Sequence, residues 1–209
     1  MAVIAITGLQ AQETPAVPRL VVGLTIDQLN MDYVEAFADM FGERGFKRLW
    51  REGRVYRNAE YNFNQVDRSS AVAAIYTGTT PHVNGIVGNA WMDRTSLQVV
   101  NCVDDTRFMG IYTSESTSPS RLAVSNLSDE LIVATKGTAE VYSIAPTREM
   151  AVLAAGHASQ GAFWINDETG KWSGSTNYGT FPSWVSNYND RQGLDFRISD
   201  MTWSPYLPV

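Results

Sequence analysis

The sequence has few of the residues that form covalent or metal-bound cross-links. Its 209 residues include one cysteine, Cys102, and two histidines, His82 and His157. A single cysteine cannot form an internal disulfide, which excludes a disulfide scaffold, and it is typical of a small buried apolar residue. The histidines are far apart and lack a metal-ligand spacing, so we do not expect a metal site built from them alone.

Long apolar runs and basic clusters are also missing. No stretch approaches 18 consecutive apolar residues, so the sequence predicts no transmembrane helix. Sixteen Lys and Arg against 22 Asp and Glu give a net charge of −6. Because no Lys/Arg cluster could track a phosphate backbone, duplex nucleic acid is not an expected partner. The hydrophobic share of 44% is typical of a globular chain with a sizeable core.

The N-terminal residues 1–19 resemble the end of a secretory signal followed by a Pro-rich linker. A short apolar stretch precedes small and polar residues, with a possible cleavage site after Ala11. This pattern predicts an exported, periplasmic protein. The alternative is a frayed N-terminal arm. Residues 20–209 are then expected to form one domain portion.

The order of predicted elements favours an α/β fold with a doubly wound, largely parallel sheet and helices on both faces. Residues 20–26 form a continuous apolar run, which is typical of a central strand buried on both faces. Further strands are predicted at 54–61, 140–145 and 162–165, an exposed hairpin at 171–178, and helices within 33–50, 69–77, 131–135 and 148–155.

Asp27 follows the first predicted strand directly. Ligands of open α/β sheets bind at the carboxyl ends of strands, so this carboxylate is a candidate metal ligand. The alternative is that Asp27 is the N-cap of the next helix.

Asp67, Arg68, Ser69 and Ser70 form a polar group at a predicted helix start. A helix N-terminus stabilises anions and can activate a nucleophilic hydroxyl. Capping of the helix by Asp67 or Ser69 explains the same residues. Asn89 follows a Gly-rich turn and could donate to a phosphate oxygen, although an asparagine is also common in ordinary turns.

Five segments resemble the alkaline phosphatase superfamily, and most closely its bacterial alkaline phosphatase and type I phosphodiesterase/nucleotide pyrophosphatase-like branch. They read LVVGLTIDQ at 20–28, GFKRL at 45–49, IYTGTTP at 75–81, NGIVGN at 84–89 and AAGH at 154–157. The resemblance runs from about residue 20 to the C-terminus and matches the N-terminal portion of the family's domain.

The resemblance implies a doubly wound α/β fold, two zinc ions, and a Ser or Thr nucleophile that forms a covalent phospho-enzyme. Zinc would neutralise the phosphate and help to generate the alkoxide. It implies that Asp27 is a zinc ligand, the one family ligand present here, and that Asn89 contacts a phosphate oxygen. The remaining ligands belong to a C-terminal half that this chain does not contain.

The sequence departs from the family at the nucleophile. An ungapped alignment from Asp27 to Asn89 places Arg68 in the nucleophile position, and a guanidinium stays protonated and cannot attack phosphorus. Ser69 is the possible substitute, with Ser70 next to it.

A second departure lies before the AAGH segment. The Lys and Arg of monoesterase-like relatives fall on Thr147 and Glu149, and Arg148 between them is the remaining candidate for substrate binding. Exchanging two cations for a hydroxyl and a carboxylate makes a pocket less favourable for a dianion.

These observations predict a chain from a zinc-dependent phosphoric ester hydrolase family that is inactive as given. The alternative is a degenerate phosphatase-like protein that binds an anion, a glycan or a protein partner. The aromatic residues that could form a glycan-binding surface are Trp172, Tyr178, Trp184 and Tyr188. A fragment of a larger domain is also expected to expose an apolar face.

Overall fold

The computed structural model describes residues 19–191, 198–199 and 201–205. The chain divides into two compact units, Met1–Tyr56 and Arg57–Val209. The predicted signal-peptide remnant and most of the Pro-rich linker lie outside the described residues. No helix in the described part of the chain is long and apolar enough to cross a membrane.

The first unit contains two short helices joined by a 3-10 turn. Helix α1 is Met31–Ala36, the turn is Ala38–Met40 and helix α2 is Phe46–Glu52. Asn30 caps α1 by accepting a hydrogen bond from the Asp32 backbone N–H (3.0 Å). Gly45, at a φ of 73°, precedes α2, and Gly53 ends it. The predicted helices within 33–50 are therefore confirmed, with the break at the glycines.

Two predicted strands are wrong. Residues 20–26 and 54–61 are in no strand, and Leu20 and Leu24 are 78% and 80% exposed. The physical reason is that a strand needs a neighbouring backbone to satisfy its N–H and C=O groups. No described segment pairs with either run. An apolar run shows that a segment can be buried, but it does not supply the neighbouring strand with which the segment must pair.

The second unit contains the remaining helices and all six strands of the described residues. The helices are α3 (Arg68–Thr77), α4 (Pro81–Asn84), α5 (Leu127–Ala134), α6 (Arg148–Ala155) and α7 (Ser183–Arg191). The strands are β1 (Ala90–Met92), β2 (Val99–Asn101), β3 (Gly110–Ile111), β4 (Tyr142–Ala145), β5 (Gly161–Ile165) and β6 (Trp172–Ser175). The helix predicted at 148–155 is confirmed at both ends.

The strands form an antiparallel β1–β2 hairpin and a four-stranded sheet in the order β3-β6-β5-β4. Strands β4 and β5 run parallel, with Ile144 opposite Phe163, while β5–β6 and β6–β3 are antiparallel. The expectation of a largely parallel sheet is thus corrected to a mixed sheet. The segment 171–178, predicted as an exposed hairpin, contains β6, which lies between β3 and β5. Its small residues Ser173 and Gly174 carry no apolar pattern that would have indicated burial.

Helices lie on both faces of this sheet, as predicted. Alternate residues of β5 point to opposite faces. On one face Trp164 belongs to the main core, together with Val72 of α3 and Leu153 of α6. On the other face the ring of Phe163 contacts Trp184 of α7, with ring centroids 5.5 Å apart. Helix α3 packs against α6. The N-terminal ends of these two helices carry the candidate residues Arg68, Ser69 and Arg148.

Candidate functional site

The N-terminus of α3 is closed by its own side chains. Asp67 is the N-cap, and its Oδ1 accepts a hydrogen bond from the Ser70 backbone N–H (2.8 Å). In return the Ser70 Oγ accepts a hydrogen bond from the Asp67 N–H (3.0 Å) and donates to the Asp67 carbonyl (3.2 Å). This is a complete capping box. The Ser70 hydroxyl is therefore engaged in the cap.

Ser69 points into the core. It is fully buried, and it shares a helix face with Val72 and Ala73, three and four residues further on. Its Oγ donates a hydrogen bond to Oδ1 of Asn89 (2.7 Å). The side chain proposed as a substitute nucleophile thus has no contact with solvent.

Arg68 lies one residue earlier, at the first helical position, and is exposed. The one-residue step turns its side chain by about 100° around the helix, away from the buried face. Arg68, which the sequence predicted in the nucleophile position, therefore lies on the exposed side of α3.

Asn89 is exposed and is fixed by both of its neighbours on α3. Its backbone N–H donates to Asp67 Oδ2 (2.5 Å), and its Oδ1 accepts from Ser69. A side chain at Gly88 would lie 3.2 Å from Asp67 Oδ2, so this close approach favours glycine. Since Oδ1 is occupied by Ser69, the Nδ2 group has no partner among the described residues and remains able to donate.

Cys102 contacts both Asn89 and Ser69. It is buried, its backbone N–H donates to the Asn89 carbonyl (2.9 Å), and burial raises the pKa of its thiol to about 12. A hydrogen bond with Ser69 opposes this rise, and the charges of Glu149 and Asp67 also act on the thiol.

Arg148 is largely buried, and its charge is paired with carboxylates. Its side chain is 11% exposed, and its Nη2 lies 2.8 Å from Asp104 Oδ1. Its Nε lies 3.4 Å from Glu115 and 3.5 Å from Glu149. The hydroxyl of the adjacent Thr147 is buried without a hydrogen-bond partner in the described structure.

Asp27 belongs to the first unit, where it is exposed and begins a turn whose next residue, Gln28, has a φ of 59°. The alternative that Asp27 caps the next helix is wrong, because Asn30 makes that cap. Across the described residues, no group of three or more His, Cys, Asp or Glu side chains is arranged to hold a metal ion.

Sequence reasoning missed a hydrogen-bonded pair between the buried Asp129 of α5 and the partly exposed His157 in the loop after α6. His157 Nδ1 lies 3.0 Å from Asp129 Oδ2, and Nε2 lies 3.0 Å from the Leu122 carbonyl. Burial alone would raise the pKa of Asp129, but hydrogen bonds from His157, Asn126 and Ala158 outweigh it and hold that pKa below its ordinary value. The sequence signal was present in the Asn126–Asp129 spacing, since these two residues form the capping box of α5.

The aromatic residues considered for glycan binding do not form one exposed surface. Tyr178 packs against the main core and donates its hydroxyl to the Gly156 carbonyl (3.0 Å). Trp184 is 51% exposed, but Tyr142 and Phe163 pack against it edge to face. Trp172 and Tyr188 are half-buried.

Comparison with known proteins identifies the fold and the family. Residues 21–204 match the family model of type I phosphodiesterase/nucleotide pyrophosphatase. The chain is 35% identical to alkaline phosphatase PhoV of Synechococcus elongatus, covering 94% of this chain and 36% of PhoV. It is 33% identical to alkaline phosphatase PafA of Elizabethkingia meningoseptica, covering 100% of this chain and 40% of PafA.

Solved structures agree. The crystal structure of wild-type PafA superposes with a TM-score of 0.86 at 33% identity, covering 92% of this chain and 38% of that one. A PafA variant with four substitutions gives the same TM-score. The chain thus spans about two-fifths of the length of these relatives. With its alkaline-phosphatase-like α/β fold, it belongs to the type I phosphodiesterase/nucleotide pyrophosphatase family of the alkaline phosphatase superfamily.

Proposed function

We propose that the whole protein binds a phosphate ester or a similar small anion without forming a covalent phospho-enzyme. One observation carries this proposal: both serine hydroxyls at the α3 N-terminus are hydrogen-bonded within the protein. Ser69 is buried and bonded to Asn89, and Ser70 is bonded to Asp67. Covalent catalysis needs an activated nucleophile that can reach phosphorus, and Arg68 cannot supply one.

The PafA variant supports the register that places Arg68 in the nucleophile position. The substituted residues named for it are a threonine, an asparagine, a lysine and an arginine. The threonine precedes the asparagine by 21 positions, as Arg68 precedes Asn89 here. The lysine precedes the arginine by two positions, as Thr147 precedes Glu149.

Asn89 is the best-placed contact for an anion. Its Oδ1 is bonded to Ser69 and its Nδ2 can donate, so the amide is oriented before a ligand arrives. Arg68 supplies positive charge at the same helix end. Arg148, which the sequence suggested as a substrate contact, is surrounded by three carboxylates, so it adds little attraction for a dianion.

The family's zinc ions do not fit the residues described. A catalytic zinc site uses three protein ligands, and Asp27 is the one candidate donor carried over from the family. If the whole protein binds zinc, Asp27 is the ligand that this chain would contribute. Export to the periplasm likewise remains a proposal based on residues 1–19.

The second candidate is an active zinc-dependent hydrolase in the whole protein. The two relatives named alkaline phosphatases favour it, together with the position of Asp27 after the apolar run 20–26. It would require the buried Ser69 to become exposed, or a nucleophile from elsewhere.

Calorimetric titration with inorganic phosphate tests the binding proposal. We expect binding that Asn89→Ala weakens on the order of tenfold, because a hydrogen bond to a charged ligand is lost. Asn187→Ala, at an exposed position on α7, is the matched control and should leave the affinity unchanged. Equal affinities for wild type and Asn89→Ala would contradict this role of Asn89.

A further inference from the structure

The start of α6 carries a charged cluster, centred on the largely buried Arg148 and Glu149, that the anion-binding role does not explain. One guanidinium, Arg148, is shared by three carboxylates, Asp104, Glu115 and Glu149. Its Nη1 also donates to the Thr117 hydroxyl (3.1 Å). The positive charge is more than compensated, and the donors of Arg148 point to protein acceptors. These residues therefore bind one another.

Two of these carboxylates hold the β1–β2 hairpin through a single residue, Asn101. Glu149 Oε1 accepts a hydrogen bond from Asn101 Nδ2 (2.6 Å). Asp104 Oδ2 accepts from the Asn101 backbone N–H (2.7 Å). Arg148 connects the two acceptors, since it contacts both Asp104 and Glu149. The end of β2 is thus attached to α6, although 48 residues separate Asn101 from Glu149.

Asn101 also lies opposite β1, the strand that begins directly after Asn89. It pairs with Ala90 across the hairpin, and the next residue, Cys102, donates its N–H to the Asn89 carbonyl (2.9 Å). The contacts therefore run without a gap from Arg148 and Glu149 through Asn101 to the backbone of Asn89.

We propose that Glu149, supported by Arg148, is a positioning residue: by holding Asn101 it fixes the hairpin that presents the Asn89 amide. The proposal rests on the proposed function, in which Asn89 contacts the anion. It gives the two residues a role different from direct contact with a ligand. The alternative is that Glu149 acts through its charge on the ligand, and this is one outcome of the test.

Two substitutions separate the hydrogen bond from the charge. Glu149→Gln keeps an oxygen that can accept from Asn101 but removes the charge, whereas Glu149→Ala removes both. Amide hydrogen exchange of residues 89–102, followed by mass spectrometry, reads the hairpin directly and needs no ligand. Failure of the anion-binding proposal would therefore not affect this measurement.

We expect Glu149→Ala to speed exchange in residues 89–102 on the order of tenfold, because the hydrogen bond from Asn101 is lost. Glu149→Gln should stay close to wild type, and so should Glu168→Ala, an exposed control carboxylate. Exchange in β5 should not change in any of them. Equal acceleration by Gln and Ala, or none by either, would overturn the proposal.

Asn101→Ala provides a second measurement should Glu149→Ala fail to fold. It removes the same hydrogen bond from the other side, so the hairpin should again exchange faster. In the double variant the two effects should not add, because both remove one shared contact. Fully additive effects would contradict a shared bond.

Discussion

At the scale of single residues, Arg68 and Ser69 show that a step of one residue along a helix separates an exposed side chain from a buried one. Ser69 lies on the buried face of α3, and Arg68 lies on the exposed side. The sequence identified both as candidates because they share a helix start. Their burial could not be predicted, because it depends on Asn89 and Cys102, which arrive from another part of the chain.

The buried Ser69 hydroxyl should contribute to stability. Ser69→Ala leaves the Asn89 Oδ1 without its donor, so we expect the free energy of unfolding to fall by about 1–2 kcal/mol. Urea denaturation measures this change. Ser114→Ala, at an exposed position, should leave the midpoint in place. An unchanged midpoint for Ser69→Ala would mean that the hydrogen bond to Asn89 is not stabilising.

Cys102 should be unreactive in the native protein. Burial raises the pKa of its thiol to about 12, so at pH 8 the thiolate is scarce and the sulfur is covered. A chromogenic disulfide reagent should label Cys102 only after unfolding in denaturant. Rapid stoichiometric labelling of the folded chain would contradict the burial described here.

Asp129 should make stability depend on acid pH. Its folded pKa lies below its ordinary value of about 3.9, so its stabilisation is present above that ordinary pKa and is lost as pH falls through the folded pKa. Denaturant unfolding between pH 2 and 6 should show a smaller loss for Asp129→Asn than for wild type. The exposed control Asp167→Asn should follow wild type, and identical curves for all three would refute the assignment.

At the scale of elements, helices were predicted better than strands. The Asp67 cap of α3 and the glycines that end α3 and α6 are local signals, so they can be recognised in the sequence directly. Strands depend on a partner strand, which can be distant in the chain. The run 20–26 has the apolar composition of a central strand but pairs with no strand of the described residues, whereas β6 is paired on both sides despite its polar residues.

Gly156 illustrates an element boundary set by a close approach. It follows α6 with a φ of 73°, and a Cβ there would overlap the Asn126 side chain, which caps α5. Gly179 has a similar backbone, at a φ of 84°, with open space around it. Gly179→Ala should cost about 1–3 kcal/mol from backbone strain alone.

Gly156→Ala should lower the free energy of unfolding further than Gly179→Ala, by about 1–3 kcal/mol, since it also displaces the buried Asn126 amide. Thermal unfolding of the two variants side by side measures the difference. Equal melting temperatures would show that Asn126 can move aside without loss.

At the scale of the whole molecule, the family could be identified from the order of short segments, because each encodes a local turn or helix start. The zinc site that the resemblance implies stays a prediction, because across the described residues no three His, Cys, Asp or Glu side chains converge. Exposed apolar side chains occur in each unit: Leu20, Val22 and Leu24 in the first and Trp203 in the second are each at least 75% exposed.

The central proposal is that α3 does not supply a nucleophile for covalent phosphoryl transfer. The most direct test is turnover of a chromogenic phosphate ester by the purified chain in the presence of zinc. We predict no turnover, for wild type and for Ser69→Ala alike, because the proposed register places Arg68 in the nucleophile position and the Ser69 hydroxyl is buried. Zinc-dependent turnover that Ser69→Ala abolishes would contradict the account.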